Sequence, residues 1–369
     1  MGQQRIRAVY MRGGTSRCLV FQEGDLPPAG AARDRILLAA LGSPDPSGRQ
    51  LDGLGGGISS LSKACIIGPT THPEADVDYT FAQVHVTRPE VDYAANCGNC
   101  SSAVGPFAID EGLVRAIEGE TLVRVHNTNT KKIIVAHVPV RGGEAAVAGD
   151  FELAGVAGRG ARIALDFLEP GGAGTGRLLP SGRVRDVIEG VEASMVDATN
   201  PLVFVRASDL GLTGAERPEQ VDADRALCAR LEAIRLAAAD RMGIPGSASV
   251  PKVAIVASPT AFTALDGTGH GEAAMDVVAR VMSMGNCHRA FALTAAMCLA
   301  VAAKIDGTVV AACTRPSARA AGADVRLAHP SGILPIAASV LVRDGEPHAD
   351  RVTTYRTARR LMEGFVRIP

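Results

Sequence analysis

The chain has 369 residues, 47% hydrophobic and 21% charged, enough to build two domains with real cores. Aromatic residues make up only 4% and tryptophan is absent, which argues against base-stacking nucleic-acid binders and sugar-binding clefts. A net charge of −1 with no basic block sets nucleic acid and membrane surfaces aside as partners.

Met1–Arg5 lacks an apolar signal core, and the longest apolar stretch, 290–303, is too short to span a bilayer; the expectation is a cytoplasmic protein. Eight cysteines are scattered without the spacing of a disulfide scaffold and read as reduced thiols.

Residues 5–10 alternate and predict a strand. The turn Met11-Arg12-Gly13-Gly14-Thr15-Ser16 leads to a second strand over 18–21, and by its residues alone reads as a glycine-rich hairpin. Residues 31–41 predict a helix stopped by Gly42 and Pro44. The glycine-rich loop 51–57 lacks the ending of a phosphate-binding loop. Lys63 abuts the apolar strand 64–67. Such a lysine ordinarily snorkels to solvent; turned inward, it would have its pKa lowered by burial and become a usable base. Another strand covers 77–86.

Residues 93–112 are the centre of the reading. Cys97 sits where an extended segment turns into a helix, and the small residues Gly98, Asn99, Cys100, Ser101, Ser102 and Ala103 follow it. A helix start offers unpaired N–H groups and the positive end of the dipole, which suit a carboxylate and lower a thiol pKa. Small side chains let a ligand approach the backbone. Cys97-x-x-Cys100 also admits a zinc or redox reading, but no second such pair supplies further ligands, and no metal is expected.

Strands are predicted over 122–125 and 133–140, then a loop-rich stretch to Gly176. In the second half, strands are expected over 191–205, a helix over 222–242 and a strand over 251–257. Residues 276–284 read as helical, and Gly285-Asn286-Cys287-His288 as the opening of a buried apolar helix reaching Ala303. Strands over 308–313, 325–328 and 336–342 follow, then a helix over 353–364.

The halves echo each other. Ser60–Ile67 resembles Ser249–Val256, which aligns Lys63 with Lys252 and places Cys97 and Cys287 at nearly equal distances beyond them. Thr15–Phe21 has a counterpart in Thr199–Phe204. The shared order suggests a duplication, with the helix starts at Cys97 and Cys287 facing across a cleft.

Met11-Arg-Gly-Gly-Thr-Ser16, Asp52-Gly-Leu-Gly-Gly56, Ser62-Lys63, Asn96-Cys97-Gly98-Asn99, Met284-Gly285 with His288, and His329-Pro-Ser-Gly332 together resemble the 2-methylaconitate isomerase family, which also holds 4-oxalomesaconate tautomerase and 3-methylitaconate isomerase. The resemblance spans essentially the whole chain. It implies an α+β, diaminopimelate epimerase-like fold: two pseudo-symmetric domains, 1–185 and 186–369, each a curved sheet or barrel around a central buried helix, with the stretch near 346–369 packing back on the first domain. It also implies a cofactor-independent allylic isomerase with Lys63 and Cys97 as catalytic residues. Met284–His288 departs from the Met-Gly-Lys-x-His usual in the methylaconitate group. Segments 104–114 and 185–191 look more like the oxalomesaconate group, so the choice of acid stays open.

An allylic shift needs a base and preorganised donors for a dienolate. Lys63 is expected as the base, with Cys97 as second acid/base or polarising neighbour. Backbone N–H groups at Gly98, Asn99, Gly285 and Asn286 are expected at the dienolate, and Thr15, Ser16, Ser331, Gly332, Arg280 and His288 at carboxylates. The expected partner is a small di- or tricarboxylate, with a second copy of the chain if it dimerises. Two other readings stand beside this one: a racemase or epimerase using Cys97 and Cys287, and a non-catalytic carboxylate binder.

Overall fold

The computed structural model describes residues 2–94, 96–245, 250–283 and 285–369; Ala95 of the central stretch, Ser249 of the repeat and Met284 of the motif lie outside them. The protein is α+β, rich in strands with few helices. Its chain divides into two compact units, Met1–Leu165 with Tyr355–Pro369, and Asp166–Thr354. Among the described residues no helix is long and apolar enough to cross a membrane.

In the first unit, β1 (Gln4–Gly13) and β2 (Ser16–Gln22) form an antiparallel hairpin. After helix α1 (Ala31–Leu41), β3 (Lys63–Pro69) lies parallel to β2, and β4 (Val77–Val84) returns antiparallel to β3. Helix α2 (Gly98–Asp110) then leads to β5 (Gly119–Asn127), parallel to β4, and β6 (Lys132–Arg141), antiparallel to β5. The last strand, Ala358–Ile368, pairs antiparallel with β1 along its length.

The strands wrap α2, whose residues from Cys100 to Ile109 are all buried. Burial of Val104, Phe107 and Ile109 contributes roughly 1.5–3 kcal/mol each. Gly105 sets how closely α2 approaches β6: a Cβ there would lie 2.6 Å from Val138 and 3.1 Å from Ala136. Helix α1 covers the opposite face, packing Ile36, Leu37 and Leu41 against Leu19, Phe21 and Ile66.

In the second unit, β7 (Val191–Asp197) and β8 (Pro201–Arg206) are antiparallel, and helix α3 (Arg225–Arg241) leads to β9 (Lys252–Ala257), parallel to β8. Next, β10 (Val277–Ser283) is antiparallel to β9. Beyond helices α4 (Leu293–Lys304) and α5 (Val309–Cys313), β11 (Asp324–His329) is parallel to β10 and β12 (Gly332–Arg343) antiparallel to β11. The succession of antiparallel and parallel pairings is that of β1 to β6, with a helix at each corresponding crossover. The echo read in the sequence is thus an echo of topology. The register is not copied residue for residue: Leu19 lies opposite Ala64, whereas Leu202 lies opposite Lys252.

Four expectations are corrected. Residues 277–283 are a strand, because the β-branched Val277, Val278 and Val281 fill a fully buried sheet position where apolar periodicity is uninformative. The helix expected from Gly285 starts only at Leu293; Gly285, at φ +85°, instead turns the chain so that Asn286–Cys287 pair back on Ser283 and Met282. Residues 309–313 are helical, because the Thr308 hydroxyl caps the turn by accepting from the Ala311 N–H. Residues 353–364 are not helical: strand β13 (Glu346–Arg356) and the last strand occupy them, the latter taking up the edge of β1.

Candidate active site

The hairpin tip and the start of α2 are built against each other. Gly13 pairs with Ser16, so Gly14-Thr15 form a two-residue turn, with Gly14 at φ +52°. A Cβ on Gly13 would lie 2.6 Å from the Asn99 carbonyl oxygen, so only glycine lets the tip sit on the first turn of α2. Ser16 is buried and Thr15 exposed.

Cys97 is the N-cap residue of α2, with extended backbone, and its carbonyl accepts the Ser101 N–H at 3.0 Å. Gly98 and Asn99 therefore present first-turn N–H groups that the helix does not use itself. The Asn99 side chain ties two distant segments together: Nδ2 donates to Thr15 Oγ1 at 3.1 Å, and Oδ1 accepts from Arg356 Nε at 3.0 Å. Arg356 is buried, and burial pushes its pKa down to about 10, opposed by Cys97. Sequence reasoning missed Arg356, since it fell in a segment read as helical.

Lys63 is the first residue of β3 and lies opposite Gln83 on β4. Its side chain is only 8% exposed, so it is turned inward. Nζ donates to Gln83 Oε1 at 2.5 Å and lies 4.9 Å from the centre of the Phe81 ring. The Gln83 amide is itself oriented by donating Nε2–H to the carbonyls of Ser62 and Ser59 at 2.9 and 3.1 Å. Lys63 is close enough to Cys97 to pull on its titration.

The Cys97 thiol is nonetheless held well above its ordinary value, against the expectation of a lowered one. Its hydrogen bond with the Cys100 thiol is the largest cause, followed by burial; Lys63 and the Cys100 backbone N–H pull the other way. The helix start is present, but a neighbouring thiol and a dry setting outweigh it. Cys97 thus rests as a protonated acid beside an inward lysine.

The candidates in the second unit are arranged differently. Arg280 is fully buried in β10; its Nε donates to the Glu216 carbonyl at 2.6 Å and Nη1 to the Ala279 carbonyl at 2.9 Å. Burial pushes its pKa down to about 10. Two of its donors are thus turned to protein carbonyls. Cys287 is buried in a short strand, its N–H donating to Asp222 Oδ1 at 2.7 Å, and burial pushes its thiol up to about 12. Gly285 and Asn286 are exposed on the same turn.

The His288 N–H donates to the Val281 carbonyl, and its Nδ1 accepts the Ala290 N–H at 3.1 Å. Burial is the largest cause lowering its pKa, and Lys252 lowers it further. Ser331 Oγ donates to the Arg289 carbonyl at 2.6 Å, and Gly332 opens β12 opposite His329. The structure therefore gathers Thr15, Ser16, Lys63, Cys97, Gly98 and Asn99 in one unit, and Gly285, Asn286, His288, Ser331 and Gly332 on two turns of the other.

The family profile described as "PrpF protein" matches residues 3–369. The chain is 42% identical to a 3-methylitaconate isomerase of Eubacterium barkeri, over 99% of this chain and 97% of that one. It is 40% identical to a 2-methyl-aconitate isomerase of Shewanella oneidensis, over 100% and 98%. A 4-oxalomesaconate tautomerase of Pseudomonas putida is 42% identical, over 99% and 97%. Among solved structures, a methylitaconate-delta-isomerase superposes with a TM-score of 0.88 at 41% identity, covering 100% of this chain and 96% of that one. A probable proline racemase from Agrobacterium radiobacter gives 0.51 at 15% identity, covering 97% and 92%, a likeness of fold alone.

Proposed function

The chain belongs to the PrpF protein family and is an isomerase, and we propose that it moves a carbon–carbon double bond in a small unsaturated polycarboxylate of the 2-methylaconitate type. The observation that carries this reading is the juxtaposition of Lys63 and Cys97 beside the first turn of α2. Lys63, as the amine, takes a proton from the carbon allylic to the double bond. The electrons move through that double bond into the conjugated carboxylate, giving a dienolate. First-turn N–H groups of Gly98 and Asn99, with the Arg356 guanidinium, suit the charge that develops there. Cys97 delivers its proton two carbons away, and transfer from the Lys63 ammonium to the thiolate restores the starting state. Thr15 and Ser16 suit a second carboxylate.

A protonated Cys97 fits a donor, and Lys63, turned inward against Phe81 and Gln83, is placed to exchange a proton with the substrate. The two-cysteine racemase fits less well: Cys287 lies buried in a short strand, not in a helix N-terminus of its own, with its thiol pushed up to about 12. All eight cysteines are free thiols, which supports placing the enzyme in the reducing cytoplasm.

The three named relatives are 40% to 42% identical, too even a spread to choose the acid. Proton NMR in D2O with 2-methylaconitate, trans-aconitate, 3-methylitaconate and the 4-oxalomesaconate tautomers makes the choice. A moved double bond with deuterium in the allylic position is expected for one of them. Deuterium entering only the α-carbon of an amino or hydroxy acid would favour the racemase. Line broadening without exchange would favour a binder.

A further inference from the structure

Behind Cys97 lies a cluster of thiols that the proposed chemistry does not use. Cys18 of β2, Cys65 of β3 and Cys100 of α2 place their sulfurs within 4.8 Å of one another, and each is at most 1% exposed. Cys18 is hydrogen-bonded to both Cys100 and Cys65, and Cys65 donates to Tyr79 Oη at 3.9 Å. Three separate elements of the sheet and its central helix thus aim sulfur at one point. Small apolar residues would pack such a spot as well.

We propose that Cys18, Cys65 and Cys100 form a three-sulfur site for a soft, thiophilic ion, and that the ion it fits best is trivalent arsenic. Soft thiolates select soft ions. A centre bonded at about 2.3 Å to each sulfur, the length of a zinc–thiolate bond, draws the sulfurs to roughly 4 Å apart or less, a small contraction of the cluster. Charge decides among the ions. Three thiolates leave two negative charges on a monovalent ion and one on a divalent ion, and an uncompensated charge in a dry interior is costly. A trivalent ion leaves none.

Arsenous acid also enters uncharged. Each thiol gives its proton to one hydroxyl of arsenous acid; three arsenic–oxygen and three sulfur–hydrogen bonds break, three arsenic–sulfur bonds form, and three waters leave with no change of oxidation state. The half-buried Cys97 is bonded to Cys100 at the edge of the cluster.

The test is native mass spectrometry of the reduced, full-length protein with arsenite. Its gain counts thiols, because each ligated thiol expels one water. Addition of one arsenic with loss of three waters is expected, and Cys65→Ala and Cys18→Ala should each hold at most a two-thiol adduct. Each variant is checked for folding by thermal unfolding, and either alone suffices. No adduct, or a two-thiol adduct in the parent protein that vanishes in Cys97→Ala and survives in Cys65→Ala, would overturn the site in favour of none or of the Cys97/Cys100 pair.

Discussion

The Asn99 side-chain oxygen accepts the Nε–H of Arg356 at 3.0 Å, joining the first turn of α2 to a residue 257 positions away. The same carboxamide donates to Thr15. Replacing Arg356 by Met removes a charged donor beside the place proposed for the dienolate. A charge-assisted bond of about 1.5–3 kcal/mol corresponds to roughly a ten- to hundredfold loss in kcat/KM. Steady-state kinetics on protein whose folding is confirmed by circular dichroism checks this; unchanged kinetics would remove Arg356 from the site.

Lys63→Met should cut kcat by roughly a hundred- to ten-thousandfold, the usual worth of a positioned base. The side chain is of similar length and stays against Phe81, so the fold should survive. Deuterium uptake from solvent should fall in parallel. Persistent uptake at the parent rate would shift the first proton transfer to another group.

Cys100 sets the acid. Its thiol is the largest cause of the raised Cys97 pKa, so a donor role for Cys97 keeps activity present below that pKa and loses it as pH rises through it, above the ordinary value of 9.0. Cys100→Ala removes that cause, and the alkaline limb of kcat should move to lower pH. A pH–rate profile of the two proteins decides; a limb that stays in place would mean that it belongs to a different group.

Arg280 offers the opposite kind of prediction. Two of its donors are engaged with the carbonyls of Glu216 and Ala279 inside a core. Arg280→Met should leave KM unchanged in the folded protein and lower thermal stability, each stranded buried carbonyl costing about 1–3 kcal/mol. A raised KM at unchanged melting temperature would restore Arg280 as a carboxylate binder.

These residues also mark how far the sequence could be read. Cys97 was legible because its signals are local: an extended segment, then a run of small residues that only a helix start would use. The inward turn of Lys63 was left open, since it depends on Gln83 and Phe81 across the neighbouring strand. Arg356 was hidden for a physical reason. Residues 353–364 contain Arg, Leu, Met and Glu, all good helix formers, and what makes the segment after Arg356 a strand is the unpaired edge of β1, far away in sequence. Strand β10 was misread because a fully buried strand and a buried helix share one apolar signature.

The pairing of β1 with the last strand also orders the events of synthesis. Contacts from Gln4 with Ile368 to Gly13 with Ala358 cannot form until residues 358–368 have left the ribosome. Residues 166–354 are by then complete and can fold as a unit, while the edge of β1 waits unpaired. Until then that edge presents unpaired N–H and C=O groups on which another chain could pair. Arg356 arrives with the same final segment, so a chain stalled short of it would carry Lys63 and Cys97 without their guanidinium neighbour.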